Sequence, residues 1–270
     1  MAEPFKNLFN PRMIGQIAGH LQRGDSSFPA ERFIELATDK LETLELKQRS
    51  LQIQAALSQT LPNDFPIACE QLVRSLHPEQ NATLADMKMD DDGIRGWAIM
   101  PMADWVAEHG IPHIELGLDA MEAMTKQLSA EFAIRHFVVA DQNQVLARAM
   151  QWSQSENEHV RRLASEGLRP RLPWGIRLQA FVEDPTPLLP LLTALRDDPS
   201  EYVRRSVANN LNDIAKDHPL LIAELANDWL KGANKNRQRL VKHACRTLIK
   251  QGHPETLKAL GYGPAAVNVK

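Results

Sequence analysis

Apolar residues recur along this chain at spacings of three and four, the signature of helices with one buried face. Over 31–59 they fall at Phe33, Leu36, Ala37, Leu41, Leu44, Leu51 and Ala55, with an interruption predicted near Thr43 to Leu46. Further helices are predicted over 65–76, 97–109, 116–127, 130–140 and 144–153, punctuated by Pro and Asx residues. Strand signals are nearly absent: few runs alternate with period two, and no Asn-Gly or Asp-Gly pair joins two apolar runs. The predicted fold class is all-α.

Beyond residue 140 the pattern repeats. Glu158-His159-Val160-Arg161-Arg162 opens one predicted helix, Glu201-Tyr202-Val203-Arg204-Arg205 opens another 43 residues later, and Arg239-Leu240-Val241-Lys242 follows 37 beyond Val203. An apolar helix precedes each: Gln144 to Trp152, Leu188 to Leu195 and Leu220 to Leu230. These spacings lie in or just below the range of HEAT and armadillo-like repeats. Ser155 with Glu158 reads as a capping box, and Pro199-Ser200 as a helix start. No such helix pair buries its apolar face alone. Three of them are therefore expected to stack into a curved α-solenoid whose second helices line one basic, concave surface. Gly261-Tyr262-Gly263-Pro264 break the pattern, and 263–270 reads as a tail or linker.

Composition changes this picture little. Of 270 residues, 43% are hydrophobic and 24% charged, as in a globular protein. Two cysteines, Cys69 and Cys245, exclude a disulfide framework and point to a reduced, cytoplasmic protein. No apolar run approaches the about 20 residues needed to span a bilayer, and the N-terminus lacks signal-peptide character, so no membrane partner is expected. Charge changes it more. The net value of −3 argues against a polyanionic partner, yet residues 1–134 hold 11 Lys+Arg against 20 Asp+Glu, whereas 135–270 hold 20 against 14. An acidic N-terminal helical part (1–134) and basic repeats (135–262) are expected within one continuous domain. A polyanion would bind between Arg135 and Lys250. The alternative is charge scattered over a solvated surface.

Familiar catalytic motifs are missing: there is no Gly-rich phosphate loop, no Gly-x-Ser-x-Gly and no Cys/His nucleophile pair. His109 and His113 have a metal-binding spacing, but Gly110 and Pro112 forbid a regular helix between them. No metal and no cofactor is expected. Three carboxylates remain on helices expected to face the basic surface: Glu131, Glu166 and Asp213. Phosphate repels a carboxylate, so a polyanion-binding face keeps one for a reason; the competing use is an internal salt bridge with Arg162, Arg169 or Arg205. In Arg169-Pro-Arg-Leu-Pro-Trp-Gly175, two prolines stop the helix and present Trp174 beside Arg171 and Arg177. Such a tryptophan either caps the core or serves stacking and cation–π contact. Trp97, Trp105, Trp152 and Trp229 sit in helical patterns and read as core.

Four stretches together resemble one family. They are Ala2-Glu-Pro-Phe-Lys-Asn-Leu-Phe-Asn10, Ser129-Ala-Glu-Phe-Ala-Ile-Arg135, His159 through Gly175, and Tyr202 through Pro219. They are similar to the AlkC branch of the HEAT-like-repeat DNA alkylation repair glycosylases, over almost the whole chain. The resemblance implies a monofunctional glycosylase that removes 3-methylcytosine, 1-methyladenine and 3-methyladenine from duplex DNA without deep base flipping. It places Glu131, Glu166, Trp174 and Asp213 at the lesion. Some relatives of this kind carry an immunoglobulin-like domain after the solenoid, which these 270 residues do not include.

Phosphate contacts are expected from Arg161, Arg162, Arg169, Arg171, Arg204, Arg205, Lys235, Arg237, Arg239 and Lys242, about a third of them lost to internal salt bridges. Asn209 and Asn210 are expected to contact DNA or the carboxylates. A cytoplasmic monomer, associated with the nucleoid when on DNA, completes this expectation. The rival from another class is a non-catalytic HEAT scaffold for a protein or for undamaged DNA. A HEAT-like lyase or pigment-handling enzyme lacks the Cys and His arrangement for covalent attachment.

Overall fold

The computed structural model describes residues 4–263; the predicted tail beyond Gly263 lies outside the described residues. Sixteen α-helices form among them, with no strand and one isolated parallel bridge between Leu76 and Ile94. No helix among them is long and apolar enough to cross a membrane. The chain divides into two compact units, up to Asp141 and from Gln142. The first holds 12 Lys+Arg against 21 Asp+Glu, the second 19 against 13.

The first unit contains α1 (Pro11–Gly24), α2 (Ala30–Thr38), α3 (Leu46–Thr60), α4 (Phe65–Arg74), α5 (Ile99–His109), α6 (Ile114–Thr125) and α7 (Ile134–Ala140). A tight 3-10 turn over Leu41–Thr43 separates α2 from α3, at the edge of the predicted interruption. Helix α1 was not predicted, although Ile14, Ile17, Ala18 and Leu21 bury one face and Asn10 Oδ1 caps it by accepting from Met13 N at 3.0 Å. The last helix starts later than its predicted 130. Ala130 N is held by Thr125 Oγ1, and the chain turns through 131–133 first. Against α7, Gly117 is a packing requirement, since a Cβ there would lie 2.5 Å from the Phe137 ring.

The second unit is built of helix pairs in the predicted order. They are α8 (Gln142–Trp152) with α9 (Glu158–Glu166), α11 (Leu189–Leu195) with α12 (Glu201–Ile214), and α13 (Pro219–Trp229) with α14 (Lys235–Ala244). Short helices α10 (Gln179–Glu183), α15 (Arg246–Gln251) and α16 (Pro254–Ala259) complete it. Within it α12 packs against both α9 and α14, the neighbour-to-neighbour stacking of second helices that defines HEAT-like repeats.

Helix α12 spends most of its surface on packing, leaving Glu201 and Arg205 exposed. Val203, Val207, Leu211 and Ile214 are buried apolar residues. Ser206, Asn210 and Asp213, at spacings of four and three, bond to the end of α9 and the segment after it. Asn209 and Asn212 bond to the α14–α15 region. Trp105, Trp152 and Trp229 are core as predicted, whereas Trp97 is half-buried.

One predicted helix start is made differently, and the other, at Pro199-Ser200, falls where expected. Asn157, not Ser155, caps α9: its Oδ1 accepts from His159 N at 2.9 Å and Val160 N at 3.2 Å. Ser155 instead stands two residues earlier and accepts from Asn157 N at 3.2 Å. At α12 the Ser200 side chain makes no cap, and Asp198 Oδ1 accepts from Ser200 N at 2.8 Å. Asn157→Ala should therefore destabilise the protein by about 1 kcal/mol, read as a lower urea midpoint with unchanged slope.

Candidate functional site

The end of α9 and the last turns of α12 bring two of the predicted carboxylates together. Arg169, three residues beyond Glu166, donates from Nη1 to Glu166 Oε1 at 2.7 Å and from Nε to Asp213 Oδ2 at 2.8 Å. Glu166 is 5% exposed and Asp213 1%. Arg162 Nη2 stands 3.5 Å from Glu166 Oε1, Ser206 donates to Glu166 Oε2 at 2.6 Å, and Lys216 donates to Asp213 Oδ1 at 2.9 Å. Burial pulls the Arg169 guanidinium down. The bond to Asp213 and the charge of Glu166 outweigh it and hold the group above its ordinary value. The result is a buried centre in which two carboxylates are held in place by a shared guanidinium and further donors.

Trp174 is presented as the prolines predict. It is 70% exposed and adopts a left-handed backbone, φ 68°, which a non-glycine residue holds only where its surroundings enforce it. Leu178 N donates to Pro170 O at 3.1 Å and closes the loop, while Leu172 and Leu178 are buried beneath it. Arg171 ties the loop to the chain just after α12 through a bidentate pair with Asp217, at 2.9 and 2.8 Å. Glu131 lies in the first unit, in the turn before α7.

The predicted phosphate contacts separate into two groups. Arg161 is bidentate to Asp198 at 2.7 and 3.1 Å, Arg237 pairs with Asp197, and Arg204 donates to the Asp198 and Pro199 carbonyls. Arg162 lies 4.7 Å from the Tyr202 ring centre. Together with Arg169 and Arg171, these cations are spent on internal order. Asn210 is fully buried and donates to Ser165 O at 2.9 Å, so the expected contact with DNA or the carboxylates is corrected to one with the backbone beside Glu166. Asn209 Oδ1 accepts from Arg246 at 3.1 Å.

Arg205 and Arg239 behave otherwise: neither forms an ion pair among the described residues, and both line a cleft between α12 and α14 with Arg204, Asn236 and His243. Lys235 is likewise unpaired, and Lys242 sits 5.9 Å from the Tyr262 ring centre. His243 and Asn236 were not singled out in the sequence, although they stand four after and three before Arg239 on one helix face. Burial, then the charges of Arg246 and Arg205, push His243 below its usual value. Its Nε2 is 3.0 Å from Asn209 Oδ1, an acceptor, so the proton of the neutral ring sits on Nε2.

Among the described residues one His/carboxylate group, His77 with Asp90 and Asp92, has ligand atoms within 4.8 Å of one another. His77 Nδ1 accepts from Glu79 N at 3.0 Å, which leaves the proton on Nε2 facing Asp90 at 3.4 Å, a hydrogen-bonding rather than a ligating arrangement. His113 stacks on Phe65, and His109 packs at a tilt against Trp105.

Comparison with known proteins shows the family of the chain. The model of the family described as DNA alkylation repair enzyme matches residues 122–250. The uncharacterized protein YhaZ of Bacillus subtilis (strain 168) is 37% identical over 258 residues, which are 95% of this chain and 68% of that protein. Among solved structures, Pseudomonas fluorescens alkylpurine DNA glycosylase AlkC bound to DNA containing an abasic site analog is 35% identical. It matches with a TM-score of 0.83 over 96% of this chain and 69% of that one. The chain belongs to the DNA alkylation repair enzyme family, in its AlkC-type branch.

The Arg171–Asp217 tie gives a pH-dependent expectation. The bond from Arg171 holds Asp217 below the ordinary 3.8, so its contribution is complete above about pH 4 and lost as pH falls through the lower folded value. Arg171→Ala should cost less than about 1 kcal/mol at neutral pH. The difference from wild type should vanish in strong acid, measured by urea unfolding across pH.

Proposed function

We propose that this protein is a monofunctional DNA glycosylase that hydrolyses the N-glycosidic bond of N-alkylated bases in duplex DNA. Its substrate class is 3-methylcytosine, 1-methyladenine and 3-methyladenine. It acts as a cytoplasmic monomer, on the nucleoid, without cofactor or metal. The observation that carries this reading is the presence, in one unit, of a buried pair of carboxylates bridged by Arg169 and an exposed tryptophan.

The chemistry asks for little acid catalysis. Alkylation at a ring nitrogen leaves the base cationic, so it departs with the C1′–N bonding pair as a neutral molecule. Positive charge then develops on the deoxyribose, and fixed carboxylates stabilise it electrostatically. Water adds to C1′ and gives up a proton, with a carboxylate as acceptor. Glu166 and Asp213 are assigned to this work. Trp174 offers an apolar, π-rich face to the sugar or base, and its rigid loop supports recognition of a lesion still close to the duplex rather than deeply flipped.

Binding falls to the cations that internal pairing leaves over: Arg205, Arg239 and Lys235, with Lys242 and His243 beside them. The competing use of Glu166 and Asp213 as structural ion-pair partners of Arg169 predicts DNA binding without base release.

Methylated duplex DNA incubated with the protein should release methylated bases, identified by mass, and accumulate abasic sites. Glu166→Gln should slow release roughly a hundredfold with little change in DNA affinity. Full release by that variant sinks the assignment, and no release by wild type sinks the function. Arg205→Ala with Arg239→Ala should weaken binding to all duplexes alike and lower the salt slope by about 2.

A further inference from the structure

We infer that Ser206 is a positioning residue for the Glu166 carboxylate, a proposal that rests on the glycosylase reading and deepens it. Ser206 is buried on α12, and its hydroxyl donates to Glu166 Oε2 at 2.6 Å while standing 3.0 Å from Ser165 Oγ. A serine hydroxyl has one hydrogen. With that hydrogen committed to the carboxylate, the Ser165 hydroxyl supplies the hydrogen of the second contact. One turn further along α12, Asn210 donates to Ser165 O at 2.9 Å. Two side chains of one helix thus grip the last turn of α9 at a carboxylate and at the backbone beside it.

The grip makes the two oxygens of Glu166 different. Oε1 faces two cations, Arg169 at 2.7 Å and Arg162 at 3.5 Å. Oε2 is bonded by a neutral hydroxyl. The two cations occupy the lone pairs of Oε1, so Oε2, which accepts a single neutral hydroxyl, is the oxygen that keeps a lone pair for a water proton or for developing positive charge. Ser206 sets the direction of that lone pair, because with both oxygens bonded the carboxylate cannot rotate. An O–H donor to a carboxylate also favours the ionised over the protonated form. The other charged groups at this point are Arg162 and Arg169 and, across Arg169, Asp213 of α12. Of the other helices packed on α9, α11 has no titratable side chain and α8 carries only Arg148.

The test is single-turnover release from a duplex with one alkylated base, followed across roughly pH 5 to 9, for wild type, Ser206→Ala and Ser206→Thr. Affinity for a duplex with an abasic-site analogue is measured beside it. Ser206→Ala should lower the rate at neutral pH about tenfold and move the acid limb of the profile up by about one unit, with affinity within about twofold of wild type. Ser206→Thr, which keeps the hydroxyl, should restore both limb and rate. An unmoved limb in Ser206→Ala overturns the proposal, whether the rate is unchanged or falls with affinity as a packing defect would make it. So does a Thr variant that behaves like the Ala variant. Absence of release by wild type overturns the glycosylase reading and this proposal with it, whereas release by wild type with an unmoved limb overturns this proposal alone.

Discussion

The candidate site depends on one guanidinium. Arg169 joins Glu166, at the end of α9, to Asp213, on the last turn of α12, and both carboxylates are almost wholly out of water. Two buried carboxylates so placed without a cation would repel each other; with it their mutual repulsion is offset by two short ion pairs, in a place where charge acts strongly because little solvent screens it. The same residue begins the Pro-Arg-Leu-Pro turn that presents Trp174, so the acidic centre and the exposed aromatic are covalently spaced as well as folded together.

A cation that performs this service has no freedom to hold phosphate, and the second unit follows that division throughout. Arginines at 161, 169, 171 and 237 are committed to Asp198, Asp213, Asp217 and Asp197. Those at 205 and 239 face a cleft with a neutral histidine between helices. The net charge of a unit therefore overstates the cations available to a polyanion. Its distribution between paired and unpaired side chains is the quantity that matters for recognition.

The helix pairs were legible in the sequence because an apolar stripe at three-and-four spacing is a local property, and the near-forty-residue recurrence of Val-Arg-Arg and its variants marked their order. Helix α1 had the same stripe and went unassigned. The cap of α9 was legible as a polar cluster but not as a residue, since Ser155 and Asn157 both carry an oxygen and only backbone direction decides which one reaches the free N–H groups. Roles of the arginines were least legible. Arg161 finds Asp198 37 residues away, and Arg169, one of the expected internal partners, bonds both Glu166, three residues away, and Asp213, 44 away across a packing that sequence spacing does not encode. Asn210 shows the same limit: its polarity is consistent with contact to DNA or to the carboxylates, while burial turns it to the Ser165 carbonyl.

Helix α12 shows what such division of labour implies for change. Its apolar residues, its Ser206–Asn210–Asp213 row and its Asn209–Asn212 row occupy separate arcs of one cylinder. Each residue advances the arc by about 100°. A single inserted or deleted residue would therefore rotate everything beyond it and hand each row to the wrong neighbour. Between Glu201 and Ile214 the chain behaves like a toothed gear, open to exchange of individual teeth but closed to any change in their number.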